Sequence, residues 1–455
     1  MLYIKVKRIL RPKEIDIDKY LLIIIKWQRC RVGRTSVTVS IGFQEEGQQL
    51  KTNHRLQISH QASETWRRHF VAKRILCTKL CDILGIEYPI VCAGMGPTLI
   101  GETTGAPVEL VVAVSEAGGL GVLGGSGFSV EGLREAIRQI KARTKKPYGV
   151  DLLLPQKLDL NLGGGALKGA KEVPLSTMIK SLPKPHQGWI KKVKDELQLP
   201  DVEIMVRMNS TTRCPQEAIQ VCIEEGVPLF CAGLGNPGFM VAQAHAAGMK
   251  VLGITGNAKN ARRMAQSGID LLVAQGYEGG GHTGRIGTMA LLPQAIDAAY
   301  PVPVLAAGGI GDGRGLAAAL AMGCVGAWVG TRFLTTNEGG ALPINKKHII
   351  DSTDEDTRVS KAYTGKTLRA SYNKYHDLWD GSGLEPLPFP TQVLISSALL
   401  ASFVEGKKDD YVGGLAGQIS GLIKEIKPAR QVLEEMVEEA VDILTRRIPE
   451  SIVVQ

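Results

Sequence analysis

Short apolar runs recur between residues 76 and 338, each closed by glycine or a small polar residue and followed by a stretch with helical spacing. Runs at 271–274, 302–306 and 325–329 show the rhythm best, with one amphipathic pattern between each pair. Strands that alternate with helices in this way predict parallel pairing. Upstream, the same pattern places strands at 88–92, 120–123, 147–154, 227–231 and 250–255. Helices are expected at 108–116, from a Ser129 cap to 143, and at 215–225, 240–247 and 258–266. Eight strands with intervening helices predict an α/β fold, a (β/α)8 barrel over 76–338, which needs about 250 residues.

Three stretches do not fit that rhythm. Residues 155–200 interrupt the barrel after its third strand with Gly163-Gly164-Gly165, five prolines and eight lysines against four acids. A loop at that position is usually about two to six residues long. The excursion is therefore either a lid or wall for an anionic substrate, or a solvated surface loop. Residues 202–206 alternate and fit an added strand or the lid's end. Residues 339–455 turn polar and helical, and are expected to pack as a helical cap over the barrel's mouth. Residues 1–75 are expected to be a poorly ordered basic extension, the other readings being a membrane- or nucleic-acid-touching arm and a strand-and-helix cap on the barrel; 37–41 could form one exposed strand.

Charge sharpens that division. Residues 1–75 hold sixteen Lys/Arg against six Asp/Glu, which exceeds the whole chain's +9 and leaves the remainder near −1. Nothing in the barrel therefore points to nucleic acid. No run is long enough to span a bilayer, since the apolar stretch 21–25 is flanked by Lys19 and Lys26. Eight cysteines without a CxxC pair fit thiols in a reducing cytoplasm better than disulfides or zinc.

The candidate chemistry lies at the strands' carboxyl ends, where parallel α/β folds hold ligands. Gly308-Gly309 follows the seventh strand and Gly330-Thr331 the eighth, which suits a phosphate cup of backbone N–H groups and one hydroxyl. A short helix expected at 331–334 would turn its amino end to the same anion. His282 follows Gly279-Gly280-Gly281 after the sixth strand, and an ordinary imidazole pKa would suit it to abstract a proton. Trp328 reads equally as barrel packing or a cofactor contact. Asp312 reads as an N-cap, and Arg314 as the partner of an acid on the next helix.

Three ordered blocks carry a family resemblance: Gly280-Gly281-His282-x-Gly284, Ala307 to Gly315, and Val329-Gly330-Thr331-Arg332-Phe333. Over about 77–444 the chain resembles the nitronate monooxygenases, formerly 2-nitropropane dioxygenases. It is similar as well to the related flavin-dependent enoyl-ACP reductases. The resemblance implies FMN bound by Gly94, Met95, Asp151, Gln275, Gly280, Gly281, Gly308, Gly309, Trp328, Gly330 and Thr331, with no metal. It implies that His282 is the catalytic base or orients the nitronate. Cys92 stands where the family usually has glutamine, and Asp151 where it has asparagine at the flavin's pyrimidine edge. Residues 416–422 resemble the family's closing segment. The implied reaction is oxidation of a nitronate, or a nitroalkane, by O2 to a carbonyl compound and nitrite. The alternative is NAD(P)H-dependent enoyl reduction at the same flavin. A non-enzymatic flavin-carrying scaffold with a basic interaction arm is a third. A homodimer is allowed by the sequence but not specified by it.

Overall fold

The computed structural model describes residues 76–97, 104–154 and 171–452, together with the backbone of three strands in the first 54 residues. It divides into two compact units, Met1–Arg74 and Ile75–Gln455. In the first, Leu21–Arg29, Thr35–Glu45 and Gln48–His54 form an antiparallel sheet. The exposed strand expected at 37–41 lies within Thr35–Glu45. Runs such as Leu21–Ile25 and Val37–Ile41 are rich in residues that favour extended backbone, and they pair with each other.

In the second unit the predicted strands appear as β1 (Ile90–Cys92), β2 (Gly121–Gly124), β3 (Tyr148–Leu153), β4 (Leu229–Leu234), β5 (Lys250–Thr255), β6 (Leu271–Gln275), β7 (Val304–Ala307) and β8 (Gly326–Val329). They pair in parallel in the ring order β1-β8-β7-β6-β5-β4-β3-β2. A single parallel bridge, Val91 to Leu120, links the first strand to the start of the second and nearly closes the barrel. The inside is filled by Val91, Val122, Leu229, Cys231, Leu252, Leu271, Val273, Leu305 and Trp328. The short helix Lys79–Leu84 adds Leu80 and Leu84 to that cluster, with the Thr78 hydroxyl donating to Val325 O at 2.5 Å.

The helices α1 (Val108–Glu116), α2 (Val130–Arg143), α3 (Pro215–Glu224), α4 (Val241–Ala246), α5 (Ala258–Gln266), α6 (Thr288–Ala299) and α7 (Gly313–Ala321) fall where the periodicity puts them. The caps act as expected: Ser129 accepts from Gly132 N and Asp312 from Gly315 N. Arg314 does not reach the next helix, because its guanidinium is held by Asp312, two residues away.

The tail differs from a cap made only of helices. Its helix α8 (Ala429–Asp442) packs on α7 and α1 on the outside of the barrel, burying Val432, Leu433, Met436 and Val437. It is the eighth helix of the ring. Strands Thr357–Ser360 and Leu368–Ser371 form an antiparallel hairpin, which pairs with Gly281–His282. The interruption after β3 joins this part of the molecule. Residues 155–170, with the three glycines, lie outside the described residues. The rest forms Glu172–Pro174, which pairs with Met205–Arg207, and the helices Leu175–Ile179 and Lys184–Glu196. Val173, Met178, Trp189 and Val193 share a second core with Tyr363, Tyr375, Trp379, Leu399 and Phe403. These residues are therefore not a solvated excursion: two stretches far apart in sequence close over one apolar cluster. Among the described residues no helix is long and apolar enough to cross a membrane.

Candidate active site

A cavity of about 1310 Å³ opens at the carboxyl ends of the strands. Its lining includes every residue expected to hold the cofactor or act in catalysis: Gly94, Met95, Asp151, Gln275, Gly280, Gly281, His282, Gly308, Gly309, Trp328, Gly330 and Thr331. Trp328 proves to be both packing and lining, since it belongs to the barrel's inner cluster and borders the cavity.

At the β1–β3 side, Asp151 points into the cavity while its neighbours Val150 and Leu152 face the helices. It is 7% exposed. A side chain at position 94 would bring a Cβ to 2.2 Å from Asp151 Cβ, so only glycine lets the loop lie there. Burial raises the Asp151 pKa well above the ordinary carboxylate range, opposed only by a hydrogen bond to the Gly233 backbone. That shift favours the protonated form, and Oδ1 has no partner among the described residues. A buried polar atom left open in a cavity calls for a ligand atom that hydrogen-bonds to it. Cys92 is not part of this wall. It belongs to the helix-facing layer and is fully buried.

Across the cavity, Gly308 and Gly309 both have positive φ, 92° and 75°, which explains why glycine occupies both positions. The helix Thr331–Leu334 begins at Gly330 as expected. The Thr331 hydroxyl accepts from Gly417 N at 3.0 Å and keeps its own proton for a ligand. Glu278 also borders this cup, but Thr288 N and Oγ1 donate to its carboxylate at 2.8 to 3.1 Å, fixing it to the amino end of α6. Backbone N–H groups and a hydroxyl at one end, with an open carboxyl at the other, fit a flavin phosphate and a flavin ring edge.

His282 stands at the rim. Its strand pairs with the hairpin, His282 opposite Leu368. Nε2 lies 3.1 Å from Thr364 Oγ1, and the ring meets Phe389 edge-on at 6.0 Å. Burial, with Lys366 nearby, lowers its pKa to about 4. The near-neutral base expected from the sequence is corrected: the imidazole is uncharged at physiological pH, a weak base and a good hydrogen-bonding group. Gln275 donates to His282 O at 2.8 Å, so its amide braces the loop that carries the histidine.

Residues 77–439 match the family model for nitronate monooxygenase. The chain belongs to that family. It is an enzyme of the flavin-dependent oxidoreductase type. It is 35% identical over 381 residues, 80% of this chain and 96% of the relative, to a Mycobacterium tuberculosis protein named as a monooxygenase, Rv1533. A Staphylococcus haemolyticus protein named as a nitronate monooxygenase is 29% identical, with 81% of this chain and 98% of that one covered. Among solved structures, nitroalkane oxidase from Streptomyces ansochromogenes superposes with a TM-score of 0.65 at 26% identity, over 80% of this chain and 99% of that one. FabK from Thermotoga maritima gives 0.62 at 28% identity, over 83% and 100%.

Against that family frame, the residues that sequence reasoning missed are those of the hairpin and the loop after it: Thr364, Lys366 and Phe389. They face His282 across more than eighty residues of chain, and no local pattern marks them. The family's closing segment was visible in the sequence, and it lies where expected. Gln418 N donates to Glu278 O at 2.9 Å, and Gly280 packs against Ala416 and Gly417 so closely that a Cβ would meet Gly417 N at 2.7 Å.

Proposed function

We propose that this enzyme binds FMN and oxidises nitronates with O2 to a carbonyl compound and nitrite. FMN, when bound, would take the electron pair from the carbanion-like carbon and hand it to oxygen. Gly308, Gly309, Gly330 and Thr331 would hold the phosphate, and Asp151 and Gly94 the ring's polar edge. Burial favours the protonated form of Asp151, which would add no negative charge beside the ring and could donate as well as accept.

The observation that carries the substrate assignment is the neutral His282 beside Lys366. Lys366 lies over the Phe389 ring at 5.4 Å and lines the same cavity. A cation draws an anion to this corner, and an uncharged imidazole braced by Thr364 donates or accepts a hydrogen bond to orient it. Such a pair suits a nitronate that arrives already deprotonated better than a nitroalkane that must first lose a proton. The apolar Phe389 face limits water around the bound anion.

Anaerobic mixing of the purified enzyme with propyl-2-nitronate should bleach the flavin, and admitting O2 should restore its colour and release nitrite. NAD(P)H-dependent enoyl reduction is the second reading, favoured by full-length coverage of FabK. It takes over if NADPH bleaches the flavin and the nitronate does not.

A further inference from the structure

The cavity lining is cationic beyond what the flavin reading uses. Arg207, Arg213, Arg263 and Lys366 line it, against two carboxyl groups, Asp151 and Glu278. Burial disfavours the charged form of Asp151, and Glu278 is fixed to the start of α6. The three arginines share one sector. Arg207 and Arg213 lie in the chain between β3 and β4, and Arg263 lies on α5 after β5. The ring order makes β3, β4 and β5 neighbours, on the far side of the barrel from the β7 and β8 turns. These guanidinium groups are therefore too far around the ring to belong to the phosphate cup.

Arg213 is half-buried, and its guanidinium has no hydrogen bond or ion pair among the described residues. Burial lowers its pKa, with no carboxylate to offset the loss of water. Arg263 is exposed and has no ion pair among the described residues, and Arg207 has only Glu172 at 3.7 Å. A guanidinium partly withdrawn from water without a partner, as that of Arg213 is, is costly, and a ligand oxyanion removes that cost. Its planar fork matches phosphate in particular. Space is available as well. A cavity of about 1310 Å³ exceeds the roughly 300–1,000 Å³ that encloses one drug-sized ligand.

We propose that the β3–β5 sector is an oxyanion subsite for the phosphate-bearing end of a second ligand, which shares the cavity with the flavin. Three arginines supply more charge than one carboxylate needs, which favours phosphate. The second ligand's reactive end reaches the His282 corner, and this part rests on the flavin reading of the site. Two sources carry such a group: a nicotinamide dinucleotide phosphate and a phosphopantetheine thioester.

Calorimetric titration of the full-length, flavin-loaded enzyme with inorganic pyrophosphate, NADPH, NADH, coenzyme A and dephospho-coenzyme A tests the subsite. Pyrophosphate should bind, with Arg213→Gln and Arg263→Gln each weakening it roughly tenfold or more. Arg213→Lys should keep part of the affinity. Flavin absorbance and unfolding temperature check that each variant is folded. A preference for NADPH over NADH, or for coenzyme A over its dephospho form, identifies the source. The proposal is overturned if none of the five binds, or if the double variant binds them as the wild type does. If nitronate oxidation is established while pyrophosphate fails to bind, only the subsite falls. If pyrophosphate binding depends on Arg213 in an enzyme that leaves nitronates untouched, the subsite stands and the proposed function falls.

Discussion

Thr364 Oγ1 stands 3.1 Å from His282 Nε2, and the two residues come from different parts of the molecule. His282 ends the loop after β6, whereas Thr364 sits in the turn of a hairpin built from the C-terminal part of the chain. The barrel alone would leave this imidazole free to rotate. Pairing of Gly281–His282 with the hairpin makes its orientation a property of both.

Thr364→Val keeps the side-chain volume and removes the hydroxyl. Loss of one hydrogen bond is worth about 1 kcal/mol, so kcat/KM for a nitronate should fall roughly five- to tenfold. Flavin content should hold, because position 364 lies away from both glycine turns. An unchanged kcat/KM would mean that Thr364 does not position the histidine.

Asp151→Asn tests the neutral acid. The folded pKa of Asp151 is raised above its unfolded value, so wild type is most stable below that value and loses stability as pH rises toward the folded pKa. Asparagine carries no proton to lose. Urea midpoints of the flavin-loaded proteins should therefore diverge between pH 4 and pH 8, with the variant relatively more stable at the alkaline end. Flavin affinity should change little, because an amide offers the same donor and acceptor. A constant difference between the two proteins at all pH values would show that Asp151 is paired or ionised.

Removing residues 1–74 should leave flavin content and turnover within about twofold of wild type, because that segment is a separate compact unit and the family match begins at residue 77. Retention on heparin should drop with it, since the local excess of positive charge is lost. Loss of flavin on truncation would make the segment part of the barrel's stability.

The barrel was legible because its period was regular: strand and helix spacing, glycine turns and caps at Ser129 and Asp312 are local signals. That the glycine turns and Asp151 border one cavity followed from where strands end. The hairpin at 357–371 and the shared core of Trp189 with Trp379 were not legible, because their partners lie far apart and neither stretch alternates over enough residues. Protonation was hidden for the same reason. The Asp151 and His282 shifts come from burial, which belongs to the assembled cavity and not to a neighbour in sequence.

His282→Asn distinguishes the two roles left for this residue. With a pKa of about 4, the imidazole is neutral and weakly basic throughout the working range. On the proposed reading it holds the substrate, and asparagine can neither reach Thr364 in the same geometry nor present the same ring to Phe389. The variant should lose a similar factor, about ten- to a hundredfold, in kcat/KM on a nitroalkane and on its preformed nitronate. A true base would behave otherwise: base catalysis is worth about 10²- to 10⁴-fold, and only the nitroalkane has a proton to remove. The pH profile gives a second readout. Wild-type kcat/KM on the nitronate should be flat from pH 6 to 8, with no step from His282 until the pH approaches 4. A collapse confined to the nitroalkane, with an inflection near pH 6.5 that vanishes in the variant, would restore His282 as the proton-abstracting base.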